Sequence, residues 1–246
     1  MAPPWESAAR VQGSVRQCDA IEPPINTAWE KSPSLTICRR RGDPEQFAPI
    51  VMTDWSMASF DGKKYQARFD LLAEQGQNVH GEASFVAEFS PVAVLDVGCG
   101  TGRVSIELAR RGIETLGIDP DPSMIEEAIR LAPELKWIQQ DAVDLDLDRV
   151  FDVVIMAGNV PLFCAEDRRD MLVRTSARHV APGGHLVAGF QLGIDRGMGA
   201  YSKTTFSQSC SRAGLLEVAW YATWDKQPVG VLDDYGVAVF QRQSGC

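Results

Sequence analysis

Histidine is scarce in these 246 residues, with three in all, and the six cysteines (Cys18, Cys38, Cys99, Cys164, Cys210, Cys246) form no C-x-x-C pair and have no histidine at zinc-ligand spacing. No metal centre is therefore expected, and the thiols are read as reduced, as in a cytoplasmic protein. Positive charge is also in short supply: 24 Lys and Arg against 33 Asp and Glu leave a formal net charge of −9. Nucleic-acid binding depends on Lys and Arg displacing counterions from phosphates, so a nucleic-acid partner is not expected. No apolar run approaches the length that spans a bilayer, and Met1-Ala-Pro-Pro-Trp-Glu6 lacks the apolar core of a signal peptide. A cytoplasmic chain with no membrane partner is the expectation. Strong long-period repeats are missing too, which excludes a solenoid.

What is present is a hydrophobic content of 45 %, enough for one α/β domain with a full core. Residues 1–51 stand apart: prolines at 3, 4, 23, 24, 33, 44 and 49 and the Arg39-Arg40-Arg41 triplet interrupt any periodicity. They read as a poorly ordered, Pro-rich N-terminal extension, with the folded domain over residues 52–246 and Met52 as an alternative natural start. Tyr65, Phe69 and Leu72 share one helical face, and Phe85, Val86 and Phe89 mark a second helix that Pro91 stops. Regular alternation follows. Strands are expected over 92–97, 115–118, 135–139, 151–156 and 185–190, with helices between them; one of these is capped by Asp121 ahead of Pro122, and another runs over 167–180. Two further strand-like runs, 217–223 and 235–241, are joined without a helix, as in a hairpin. Such alternation of doubly apolar strands with helices specifies a doubly wound, mostly parallel α/β sheet.

In an open α/β sheet a ligand sits beyond the carboxyl ends of the strands. Here the first strand ends in Asp96 and the run Gly98-Cys99-Gly100-Thr101-Gly102. A dinucleotide site needs G-x-G-x-x-G, so that pyrophosphate can lie on a helix N-terminus. This chain has G-x-G-x-G preceded by an acid, which suits a cationic amine better than a phosphate. An NAD-dependent oxidoreductase is disfavoured for that reason. Asp119 ends the second strand, where it can accept both ribose hydroxyls, and Pro120 follows it. Asp141 and Ala142, after the third strand, can meet the amino group and a ring nitrogen of adenine, with Met124 against the adenine face. Arg68 and Arg103 are the residues available to a ligand carboxylate.

The runs Val94-Leu-Asp-Val-Gly-Cys-Gly-Thr-Gly-Arg103, Gly117-Ile-Asp-Pro120, Gln140-Asp-Ala142, Phe151-Asp-Val-Val-Ile-Met156 and Pro182-Gly-Gly184 resemble the ordered motifs of class I S-adenosylmethionine-dependent methyltransferases. Further runs, Val79-His-Gly-Glu-Ala83 and Ala157-Gly-Asn-Val160 among them, resemble small bacterial members of that family. The resemblance implies a Rossmann-like seven-stranded sheet in the order 3-2-1-4-5-7-6 with an antiparallel last strand, and S-adenosylmethionine as cofactor. It implies Asp96, Gly98 and Gly100, with Cys99 between them, around the amino acid end of the cofactor. By the same likeness Asp119 takes the ribose, Asp141 and Ala142 the adenine, and Ala157 and Gly158 lie near the methionine moiety.

Methyl transfer from a sulfonium is an in-line displacement that needs alignment and dryness more than any one side chain. The expected function is methyl transfer to an unidentified small-molecule acceptor; a non-catalytic S-adenosylmethionine-binding or partner-regulating protein of the same fold is the alternative. Tyr65, His80 and Asn159 are the candidate catalytic residues, and Gln191 is a further group at the mouth. Asn159-Val-Pro-Leu162 is not the N-P-P-Y loop of amino methyltransferases acting on adenine or glutamine, which argues against base flipping. The Gly-rich stretch 193–203 is a candidate crossover that closes over a substrate.

Overall fold

A computed structural model describes residues 61–193, 201–230 and 233–244. The extension over 1–51, the start at Met52 and most of the 193–203 crossover lie outside the described residues. In chain order the elements are α1 (Gly62–Glu74), α2 (Gly81–Ala87), β1 (Ala93–Val97), α3 (Arg103–Arg110), β2 (Glu114–Asp119), α4 (Pro122–Leu131) and β3 (Lys136–Gln139). There follow β4 (Phe151–Met156), α5 (Val160–Phe163), α6 (Arg169–Arg178), β5 (Val180–Gln191), α7 (Lys203–Arg212), β6 (Leu215–Tyr221) and β7 (Tyr235–Arg242). Seven strands form one sheet in the order β3-β2-β1-β4-β5-β7-β6. β1 to β5 pair in parallel, and β7 runs antiparallel to both β5 and β6. This is the doubly wound order that the family resemblance implied.

Side-chain alternation explains why the strands are apolar throughout. Val94, Val153, Ile155, Val187, Val237 and Val239 face one layer with Val86, Val104 and Leu108 of α2 and α3. Their neighbours Leu95, Val154, Met156, Leu186, Ala188, Ala238 and Phe240 face the other, with Leu172 and Val173 of α6 and Phe206 of α7. A strand covered on both faces cannot alternate polar with apolar. Asp121 caps α4 as expected, accepting from the N–H groups of Ser123 (2.8 Å) and Met124 (3.3 Å) with Pro122 at the first position.

Several boundaries differ from expectation. β5 begins at Val180, before the Pro-Gly-Gly turn and not after it, because Phe151 pairs with Val180 while Val153 pairs with His185. The intervening residues leave the ladder as a bulge, with Gly183 at φ +80°. The final hairpin is shifted by two residues at its first strand, which starts at Leu215 rather than Glu217.

Candidate functional site

The glycine turn leaves β1 below α1. Its third glycine serves the fold: Gly102 sits at φ +83°, and a Cβ there would overlap the Trp137 ring, which also covers Gly117 on β2. Trp137 is fixed by its indole N–H to the Ala132 carbonyl at 2.9 Å. Gly100 faces the open side. A Cβ added there would lie 3.5 Å from Tyr65 Cε1 and 3.9 Å from Met124 Sδ, so the bare backbone, the phenol and the thioether line one recess. Gly98 lies against Val160, whose Cγ2 would be 2.6 Å from its Cβ. α1 is fastened over the turn by the Thr101 hydroxyl, which donates to Gln66 Oε1 at 2.6 Å, and by the Gly62 N–H to Ser123 Oγ at 3.2 Å.

Two carboxylates lie beneath this turn. Asp96, 1 % exposed, accepts from Ser105 Oγ at 2.8 Å. Burial is the main reason its carboxyl is pushed up to about 6; the Ser105 hydrogen bonds and the Arg103 charge offset only part of that, and the neighbouring Asp119 adds to it. Asp119 accepts from the Gly100 N–H and the Asp121 N–H, each at 2.9 Å, which ties the end of β2 to the glycine turn. Burial raises its carboxyl as well, against those backbone bonds. Cys99, its thiol buried and raised by desolvation and then by the same two acids, is a packed wall and not a nucleophile. Pro120 leads from Asp119 into the α4 cap.

The two candidate arginines have different surroundings. Arg103 donates to Glu82 through both terminal nitrogens (2.9 and 2.6 Å) and to the Val79 carbonyl, and its guanidinium stacks 4.6 Å from the Phe69 ring centroid. Burial would raise Glu82, but the Arg103 charge and hydrogen bonds outweigh it and hold the acid low. Arg68 has nothing comparable. Its Nε and Nη2 are buried without a hydrogen-bond partner, on the face of α1 that carries Tyr65 one turn earlier, and desolvation lowers its proton affinity. Burial also raises the Tyr65 phenol, with smaller and opposed contributions from Arg103 and Glu82.

Asp141 accepts from the Val143 N–H at 3.1 Å and pairs with Arg168 at 2.9 Å at the end of β3, beside buried Ala142. Arg168 also reaches Asp144, and nothing in the local sequence signals this long-range partner. Beyond β4, Ala157 and Gly158 lead to Asn159, which is buried at φ +71°. Its Oδ1 accepts from the Gln191 N–H at 2.8 Å, and its own N–H binds the Gly189 carbonyl at 3.1 Å, so the exits of β4 and β5 are stitched together. His80 is the N-cap residue of α2; its Nδ1 lies 3.9 Å from Glu107 of α3, and burial lowers its proton affinity despite that acid. Thus Asp96, Gly98, Cys99, Gly100, Asp119, Tyr65 and Met124 gather around one turn, Asn159 and Gln191 meet at the neighbouring strand exits, and His80 is turned to α3. Glu82, Trp137 and Ser105, which sequence reasoning gave no role, hold the site from behind. The one available signal was the pair Gly102 and Gly117, whose missing side chains make room for a large ring.

Comparison with known proteins gives a consistent picture. The family model described as a methyltransferase domain matches residues 94–184. A TehB-like SAM-dependent methyltransferase from Corynebacterium glutamicum is 31 % identical and superposes with a TM-score of 0.68 over 74 % of this chain and 98 % of its own. Cypemycin N-terminal methyltransferase from a Streptomyces species is 35 % identical over 124 residues, 47 % of this chain and 50 % of its own. An amino pentose methyltransferase from Micromonospora echinaspora, solved with SAM bound, shares the fold at 19 % identity and a TM-score of 0.58, over 73 % of this chain and 97 % of its own. The chain spans about half the length of the curated relatives it matches, 50 % and 59 % for two of them.

Proposed function

The chain belongs to the S-adenosylmethionine-dependent methyltransferase family, and from that premise we propose that residues 52–246 form a class I enzyme that methylates a small-molecule acceptor. When bound, S-adenosylmethionine supplies a methyl group activated by a sulfonium centre. Arg68 takes the carboxylate at the amino acid end of the cofactor, and Asp96, ionised, faces the ammonium there. Asp119 accepts from the ribose hydroxyls with lone pairs left over from its two backbone bonds. Asp141 and the backbone of Ala142 meet adenine, between Met124 and the β3 exit. Gly100 leaves room for the ligand between Tyr65 and Met124, Gly98 gives its side-chain space to Val160 and offers its bare backbone, and Ala157 with Gly158 leave room at the methionine end. Tyr65 and α1 close the recess against water, which strengthens each of these contacts.

The observation that carries this reading is the Arg68 guanidinium. A half-buried guanidinium whose Nε and Nη2 are shut off from solvent and unpaired is costly, and an anion that fits between them offsets the cost. Arg103 is spent on Glu82 and does not compete for that role. Acidic net charge fits a small acceptor better than a nucleic acid. Titration calorimetry tests the proposal directly: the folded protein binds S-adenosylhomocysteine, and Arg68→Met weakens that binding by about tenfold or more, the size of a charged hydrogen bond lost. A folded wild-type sample that binds neither S-adenosylmethionine nor S-adenosylhomocysteine overturns it.

A further inference from the structure

We infer that Gln191 reads the methyl acceptor, donating from its carboxamide to a carbonyl or carboxylate oxygen of that molecule; the inference rests on the methyltransferase reading above. Gln191 is the last residue of β5, 5 % exposed, and its Nε2 is buried without any hydrogen-bond acceptor. Buried amides in folded proteins are paired as a rule, so an orphan at the mouth of a ligand recess marks a place for something not of the chain. The position of the side chain is not loose. The Gln191 N–H is bound to Asn159 Oδ1, and Asn159 is itself bound back to Gly189, so the Gln191 backbone is pinned beside Asn159, the residue that follows Ala157 and Gly158.

Neighbours on the same face complete the recess. Gln191 stands opposite Tyr235 in the β5–β7 ladder, which puts both side chains on the α2–α3 side of the sheet. Gly189, two residues earlier on that face, has no side chain because Trp224 and the Tyr235 hydroxyl occupy the space. Trp224 donates its indole N–H to that hydroxyl at 3.2 Å, so the phenol oxygen is satisfied as an acceptor and keeps its own proton to give. Gln191 therefore offers its N–H donors at the end of β5, beside an aromatic wall of Tyr235 and Trp224 in which the Tyr235 hydroxyl lies over Gly189. A site of buried donors accepts molecules that bring an oxygen and rejects those that bring only donors, since two donors cannot pair. The reading separates the roles of two orphan side chains: Arg68 for the cofactor, Gln191 for the acceptor.

The test uses the full chain loaded with S-adenosylhomocysteine and three probes of equal size, benzoate, benzamide and benzylamine, followed by saturation-transfer NMR. Benzoate and benzamide bind, and benzylamine binds at least about tenfold more weakly. Gln191→Met, which keeps the volume and removes the donor, loses the preference while holding S-adenosylhomocysteine within about twofold of wild type, the spread expected of a residue outside the cofactor site. Gln191→Glu, if it folds, inverts the order toward benzylamine. Equal binding of all three probes to wild type, no binding of either oxygen probe, or an unchanged preference in Gln191→Met overturns the assignment of Gln191 alone. Failure of wild type to bind S-adenosylhomocysteine overturns the methyltransferase reading, and this inference with it.

Discussion

At the β1–β2 end of the sheet the space below the surface is occupied by acids, Asp96 and Asp119; at equal depth behind β5 and β7 it is filled by rings. Phe206 alone touches Phe190, Tyr201, Trp220 and Phe240, at centroid distances of 4.9, 5.7, 6.0 and 5.8 Å. The ring cluster is held by its own contacts, since edge-to-face packing needs no outside partner, although the Trp220 indole N–H within it is buried without a hydrogen-bond acceptor. The acid end is satisfied only in part. Asp96 has its hydroxyl and Asp119 its two amides, yet both carboxyls are raised by burial, and Arg68 nearby has no acceptor for two of its donors. Stability is concentrated in the ring half, which packing completes, and the proposed ligand affinity in the acid half, which packing does not complete.

Breaking the complete half has the largest expected effect. Phe206→Ala removes the ring at the centre of the cluster and lowers unfolding free energy by about 3–5 kcal/mol, measured by urea titration. Affinity for S-adenosylhomocysteine stays unchanged while the variant is folded; a parallel loss of affinity would erase the division between the halves.

Asp96→Asn probes the incomplete half through its pH dependence. The folded protein holds the Asp96 proton more tightly than the unfolded chain does, so the wild type loses stability as pH rises from its ordinary value of 3.8 to about 6. The asparagine variant lacks that loss. Its stability relative to wild type therefore climbs by about 3 kcal/mol across this window and is flat above it. Chemical denaturation at a series of pH values reads the difference, and a flat difference from end to end would show that burial does not control Asp96. On the proposed reading cofactor affinity of the wild type rises over the same window, because the ionised acid is the form that would meet an ammonium.

The smallest effect is expected at the surface. Arg168 is half exposed, and its pairs with Asp141 and Asp144 are solvated, so Arg168→Ala costs less than about 1 kcal/mol in a thermal melt. A larger cost would mean that the adenine end is as tightly built as the ring cluster.

Much of the ligand end was readable because it is local. Asp96 to Gly102 and Asp119 each lie at a strand exit, and the strand spacing alone brings them to one edge. Asp121 and Pro122 announce a helix start within three residues. Two features were not readable. Arg68 and Arg103 look alike as candidates for a carboxylate, and only the approach of Glu82 from α2 separates them. Gly102 looks like part of a ligand loop, yet Trp137, 35 positions later in the chain, accounts for it.

The sequence by itself determined the alternation of strands and helices, the final hairpin and the acid–glycine turn, because hydrophobic period and backbone freedom act over a few residues; the strand order was implied by the family resemblance. Which buried donors are left unpaired was decided by the tertiary structure. Pairing of Arg103 with Glu82, and of the Gln191 backbone with Asn159, joins residues 21 and 32 positions apart, and such contacts depend on how helices and strand exits pack. The Gln191 amide and the Arg68 guanidinium are among the groups left over when those contacts have formed, together with His80 Nδ1, Ser176 Oγ and Trp220 Nε1.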